Sequence, residues 1–179
     1  MLIRPASAGD VSSVLPMLEQ MHALNQQWDA GRFGLDSDSP NQHHRWLMDR
    51  RDAQRGVFLV AEAGAGLVAF LIGGVENQTL ADPTAEQGVI HHLWVEPDYR
   101  HEGLGRQLTM LALEMFANLG VRQVRLTTAT ANEAARGMFA SCGFRPSAVE
   151  MSIEIKPTKG QSPGENIITL GDPTWPTIS

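Results

Sequence analysis

What the chain lacks narrows it first. Among 179 residues there is one cysteine, Cys142, and one tyrosine, Tyr99, so no internal disulfide can form and a phenol is available at a single position. There is no charged-then-apolar leader and no run of about 18 apolar residues, so a reducing cytoplasm is the expected compartment and no membrane partner is expected. Lys and Arg total 14 against 20 Asp and Glu, a net charge of -6. Arg45, Arg50, Arg51 and Arg55 cluster, but without the basic tract that marks nucleic-acid binding. Nucleic acid is therefore not an expected partner. The Gly-Lys-Ser/Thr ending of a phosphate loop and the three-glycine dinucleotide fingerprint are both absent. So is a histidine pair at i, i+4: the adjacent His43 and His44 point about 100° apart on a helix and read as surface residues. No metal is expected, and no internal repeat is present.

What is present suits one domain, since 42% hydrophobic content over this length supports a core. The expected domain is residues 1–156, followed by a tail of residues 157–179 rich in Pro, Gly and Thr. An apolar island at Ile167-Ile168-Thr169-Leu170 is expected to dock on the domain or on a second subunit, which makes a homodimer possible. Leu2, Ile3 and Arg4 read as a first strand. Ser7-x-x-Asp10 then caps a helix carrying Val11, Val14, Leu18 and Met21, with Pro16 expected to kink it or delay its start. His22, beside that stripe, reads as a buried, hydrogen-bonded residue. Trp28 to Ser39 loses its period and reads as a loop. Ser39-Pro40 opens a helix that stops by Gly56. Val57 to Glu62 and Leu67 to Ile72 form a hairpin across Ala63-Gly64-Ala65-Gly66, Gly73-Gly74 suggests a bulge or a close approach, and Glu76 to Gln87 reads as a polar loop.

The most informative stretch is Val89 to Leu119. An apolar strand runs into Val95-Glu96-Pro97-Asp98-Tyr99-Arg100-His101-Glu102-Gly103-Leu104-Gly105-Arg106 and then into a helix with Leu104, Leu108, Leu111, Ala112 and Met115 on one stripe, ending at Gly120. A helix N-terminus offers unpaired N–H groups and the positive end of the helix dipole. With Gly103 and Gly105 lacking Cβ, a diphosphate can come close to the amides of residues 100–105, and the Arg100 side chain adds charge. Downstream, Val121 to Thr128 reads as a strand, Thr130-x-x-Glu133 as a capping box opening a helix through Ala140, and Ala148 to Ile155 as a last, alternating strand.

Arg100-x-x-Gly103-x-Gly105, with Leu93, Val95 and Pro97 before it, resembles the acetyl-CoA signature of the GNAT superfamily of N-acetyltransferases. Asn132, Ala135 and Gly143-Phe144 resemble that family's second cofactor segment. The resemblance implies an α/β fold: a single domain with a mixed sheet of about six to seven strands and about four helices. It also implies that the strand holding Leu93 and Val95 splays from the strand at Val121 to Thr128, with the pantetheine arm in the gap. The cofactor residues it implies are Leu93, Trp94, Val95, Arg100, His101, Glu102, Gly103, Leu104, Gly105, Arg106, Asn132, Arg136 and Phe139, with acetyl-CoA as co-substrate and a small-molecule amine as acceptor.

Acetyl transfer to an amine needs a base, a polarised thioester carbonyl and a proton for the departing thiolate. Histidine, with a pKa of about 6.5, suits the first task. The resemblance places a base four residues before Val95, at His91, with His92 and Glu86 as rivals. Simple alternation puts His91 and His92 on opposite faces, His91 sharing a face with Leu93 and Val95. Backbone N–H around Val95 is the implied donor to the carbonyl. The family's usual tyrosine, four residues before the Gly-Phe pair, is replaced here by Phe139. For the acceptor, the Trp28–Asp38 loop offers Trp28, Asp29, Phe33 and Asp36 as candidates to hold a cationic amine, the alternative being a solvated loop with one anchoring aromatic. A protein or peptide acceptor, or a module that only binds acyl-CoA, remain open readings.

Overall fold

The computed structural model describes residues 1–32, 39–64, 66–77 and 85–153; Phe33 and Asp36 lie outside the described residues. Met1–Ser147 form one compact unit and Ala148–Ser179 a second. The first begins with strand β1, Leu2–Pro5, and a turn of 3₁₀ helix at Ala8–Asp10 that leads into helix α1, Val11–Trp28. Arg4 donates to both carboxylate oxygens of Asp10, at 2.7 and 2.9 Å, and also bonds Glu62. Asp10 further accepts from the N–H and hydroxyl of Ser7 at 2.6 and 2.7 Å. The Arg4 guanidinium, with the Ser7 donors, holds the Asp10 carboxyl well below the usual carboxylate range. Ser7 and Asp10 thus mark the helix start as the spacing predicts, and Pro16 sits inside the helix without ending it.

Helix α2 is Ser39–Asp52, followed by β2, Gly56–Ala63, β3, Gly66–Asn77, and β4, Glu86–Val95. Then come α3, Leu104–Asn118, β5, Val124–Leu126, and α4, Glu133–Ser141. The sheet runs in the order β1-β2-β3-β4-β5. Its first four strands pair antiparallel and β5 joins β4 in parallel, with α3 as the crossover. The β2–β3 hairpin closes at the Ala63↔Gly66 pair, where the glycine-rich turn is expected.

The near-continuous apolar run of β3 follows from helices on both faces. Phe70 and Ile72 join Phe58, Val60 and Trp94 against α1 and Leu47 of α2, while Ala69 and Leu71 join Leu59 and Ile90 against Leu104, Leu108, Ala112 and Phe116 of α3. Phe116 is fully buried, worth about 1.5–3 kcal/mol in transfer from water. It reaches the sheet because Gly88 has no side chain: a Cβ there would come within 2.9 Å of its ring.

The structure corrects several expectations. Five strands pair among the described residues, fewer than the six to seven expected. The strand expected over Val121 to Thr128 shrinks to Val124–Leu126, the three residues that pair with Gly88–Ile90 of β4. Residues 148–153 alternate in hydropathy but carry no strand, and Val149, Met151 and Ile153 are exposed; alternation makes a strand only where a neighbour supplies hydrogen bonds. Trp28 ends α1 rather than opening a loop. Glu76 and Glu86 belong to strands, so the expected polar loop is shorter than Glu76 to Gln87. The N-cap of α4 is Asn132, which accepts from Ala135 N–H at 3.1 Å, not Thr130.

Candidate active site

The β4–β5 pairing consists of Gly88↔Val124, Val89↔Arg125 and Ile90↔Leu126, and β4 then runs on to Val95 paired with β3 alone. Toward β3, Glu96 N–H bonds Val68 O at 2.9 Å. Antiparallel pairs alternate between bonded and non-bonded, so the N–H groups of Leu93 and Val95 point to the edge that β5 has vacated. The side chains of Leu93 and Val95 lie on the α3 face. A Cβ on Gly105 would touch Leu93, Val95 and Met138, each at 3.8 Å. Gly105 therefore borders this gap as well as the first turn of α3. Trp94 projects the other way, buried in the α1–α2 core.

After β4 the chain makes a 3₁₀ turn at Pro97–Tyr99 and enters α3 through two left-handed residues, His101 at φ 65° and Gly103 at φ 79°. Gly103 takes that conformation without the Cβ penalty. Gln107 N–H closes the first turn on Gly103 O at 3.0 Å, so the N–H groups just before it have no helical acceptor. The Arg100 side chain does not reach toward them. Its Nε donates to Val95 O at 2.8 Å and its guanidinium lies 4.6 Å from the Trp94 ring centroid, so it fastens the turn to the end of β4. His101, Glu102 and Gly103 are exposed around that turn, and Arg106 is exposed one turn later.

On α4, the Asn132 side chain serves as the cap, while Arg136 donates to Thr130 O at 3.0 Å. Phe139 is buried edge-on to Phe144, with ring centroids 5.7 Å apart. Met138 closes the gap from this side, its sulfur 3.9 Å from Thr109 Oγ1 and from Cys142 Sγ. Its position in the sequence gives no signal of this role.

The histidines depart from simple alternation. Ile72 pairs with His92 and Gly73 with Ile90, so His91 is an extra residue, a β-bulge. Both rings consequently lie on the α1–α2 face, at 5.7 and 5.1 Å from Trp46, and His91 does not share a face with Leu93 and Val95. His91 Nε2 is 3.1 Å from Glu76 Oε1 and 3.3 Å from Arg50 Nη1. Burial, then the Arg50 charge, hold its pKa below the usual histidine value, with Glu76 opposing. His92 is pushed down to about 3 by burial and by its neighbours His22, His91 and His43. The His22 and His43 rings meet at 4.7 Å, and each Nδ1 is buried without a hydrogen-bond partner. His22 thus lacks a bond at that nitrogen, and His43 is not a surface residue as expected.

Glu86 stands apart. It pairs with Arg55 at the opposite end of β4, about 30 Å along the strand from Val95 at ~3.3 Å per residue. Trp28 is half-buried at the end of α1, and Asp29 is exposed, accepting from Arg32 N–H at 3.1 Å. Sequence reading missed Glu76, Arg50, Arg125, Trp46 and Met138, whose proximity depends on how four elements meet. Among the described residues, no group of three or more His, Cys, Asp or Glu is placed to hold a metal ion, and no helix is long and apolar enough to cross a membrane.

Residues 19–144, spanning α1 to the Gly143-Phe144 pair, match the Acetyltransferase (GNAT) family. The chain belongs to that family. This GNAT chain is 40% identical over 99 residues to the mycothiol acetyltransferase of Beutenbergia cavernae, a match covering 55% of the chain and 31% of that relative. The chain thus spans about a third of the relative's length. In fold it is similar to the BH1408 protein of Bacillus halodurans, with a TM-score of 0.74 at 20% identity over 87% of the chain and 100% of that one. It is also similar to a predicted acetyltransferase of Clostridium acetobutylicum solved with acetyl-CoA, with a TM-score of 0.69 at 15% identity over 86% and 95% of the two chains.

Proposed function

We propose that this GNAT chain transfers the acetyl group of acetyl-CoA to the primary amine of a small molecule, by direct attack in a ternary complex. The observation that carries this reading is the separation of β5 from β4 after Ile90↔Leu126, beside the first turn of α3. In this reading the diphosphate sits at the free amides of residues 101–106, and the pantetheine arm lies in the gap between Leu93, Val95, Gly105, Met138 and α4. The edge N–H of Val95 polarises the thioester carbonyl as negative charge grows on its oxygen. His91, neutral near pH 7 because its pKa is lowered, takes a proton from the attacking ammonium, directly or through water. The tautomer with the proton on Nε2 donates to Glu76 and leaves the Nδ1 lone pair for that task. The amine nitrogen bonds to the acetyl carbon, the C–S bond breaks, and the proton that the nitrogen sheds as it becomes an amide passes through water to the departing thiolate, since Phe139 has none to give.

The Phe139 ring supports a second reading, a module that holds acyl-CoA without turnover. Thiol release on mixing the chain with acetyl-CoA and a panel of amines separates the two. Release that depends on the amine, with the acetylated product seen by mass spectrometry, supports the enzyme. No turnover with any amine, together with turnover gained by Phe139→Tyr, supports the binding module.

A further inference from the structure

Beside His91, among the described residues, the protein assembles more positive than negative charge. Glu76, Arg50 and Arg125 come from β3, α2 and β5 and meet on the α1–α2 face of the sheet, where β4 and β5 part. Arg50 Nη1 is 3.5 Å from Glu76 Oε1, and Arg125 Nη2 is 3.9 Å from Glu76 Oε2. Among the described residues one carboxylate thus faces two guanidinium groups, which leaves a surplus of one positive charge. The Arg125 side chain is 55% exposed and its distance from Glu76 is long, so its donors are open to an incoming group. Arg50 lies over the sheet beside Gly74, where a Cβ would lie 3.6 Å from Nη1, and against the Trp46 ring, whose centroid is 5.5 Å from its guanidinium.

We infer that the acceptor carries a carboxylate close to its reactive amine, as an amino acid does, and that Arg125 and Arg50 grip that carboxylate while Glu76 and His91 face the amine. The inference rests on the proposed acetyl transfer at this site and narrows its substrate class. The chemistry fits the separation of charges. A guanidinium fork matches a carboxylate in two parallel bonds, and Glu76 attracts the ammonium end before His91 takes its proton. An acceptor with cationic groups only would place them against the two arginines and pay for the repulsion.

The test uses the intact chain and two readouts. The first is kcat/KM for amino acids against their carboxamides, with acetyl-CoA. The second is calorimetric binding of N-acetylamino acids, which carry the carboxylate and need no turnover, against the matching N-acetyl carboxamides. The carboxylate form should be favoured by about tenfold or more, as expected for charge-assisted hydrogen bonds. The preference should collapse toward one in Arg125→Gln and partly return in Arg125→Lys, with circular dichroism confirming the fold. Arg50→Lys provides a second variant. Equal binding of acid and amide by the parent, or a preference that survives Arg125→Gln, overturns the inference. Amine-dependent turnover with no carboxylate preference leaves acetyl transfer standing and removes only the substrate class. A carboxylate preference in binding with no turnover supports the carboxylate grip and removes the enzyme reading.

Discussion

His91 carries the sharpest residue-level consequence. Its lone pair must survive near neutral pH, and burial with Arg50 and Arg125 nearby favours the neutral ring, while Glu76 pulls the other way. Because the folded pKa is lowered, the basic form appears at a lower pH than for an exposed histidine. The rate kcat/KM should therefore rise with pH along a limb centred below about 6.5 and level off above it. His91→Gln should lower kcat/KM by about 10²-fold and abolish that limb. A full rate with the limb intact would remove His91 from the chemistry. His92, whose ring packs against those of His22 and Trp46 and whose pKa is pushed down to about 3, is too weak a base to replace it.

At the level of elements, the junction of β4, the left-handed turn and α3 separates two roles of glycine. Gly103 is needed for its φ of 79°, while Gly105 keeps the gap beside Leu93, Val95 and Met138 open. Gly105→Val should weaken acetyl-CoA binding by about tenfold or more, because overfilling a packed gap costs about 1–3 kcal/mol. Calorimetry with circular dichroism checks this, and unchanged affinity in a folded variant would show that the pantetheine arm does not use the gap. The bulge at His91 belongs to the same scale. One added residue in β4 turns two adjacent histidines to one face. A period-2 reading of the strand cannot anticipate this, because nothing in the side-chain pattern marks the residue that drops out of register.

For the whole molecule, the buried histidines link stability to pH. His92 is pushed down to about 3 and His22 is also lowered, both chiefly by burial. An unfolded histidine titrates near 6.5, so below that pH the unfolded chain binds more protons than the folded one and stability falls as pH falls. The fall is at most about 1.4 kcal/mol per pH unit for each fully shifted group. Asp10, whose carboxyl is lowered by Arg4, adds its loss only at more acid pH, below about 3.9. The urea midpoint should therefore drop between pH 7 and pH 5, where the histidines dominate, and His92→Leu should shrink that drop. Equal midpoints at the two pH values in the parent would show that the rings are not held neutral.

The residues that set backbone conformation and amphipathic stripes were legible one segment at a time. Ser7 and Asp10 announced α1, the Ala63–Gly66 turn announced the hairpin, and Arg100-x-x-Gly103-x-Gly105 announced the strand-to-helix junction, because each is a local matter of capping, turn conformation and free amides. Tertiary structure alone decided where pairing stops and what meets across the sheet. β5 ended at Leu126, where its pairing with β4 stops, and residues 148–153 made no strand despite their alternation. Glu76, Arg50, Arg125 and His91, far apart in sequence, became neighbours because β3, α2, β5 and the β4 bulge converge on one face. A strand needs a partner and a charge cluster needs a geometry, and neither is written in a single stretch of chain.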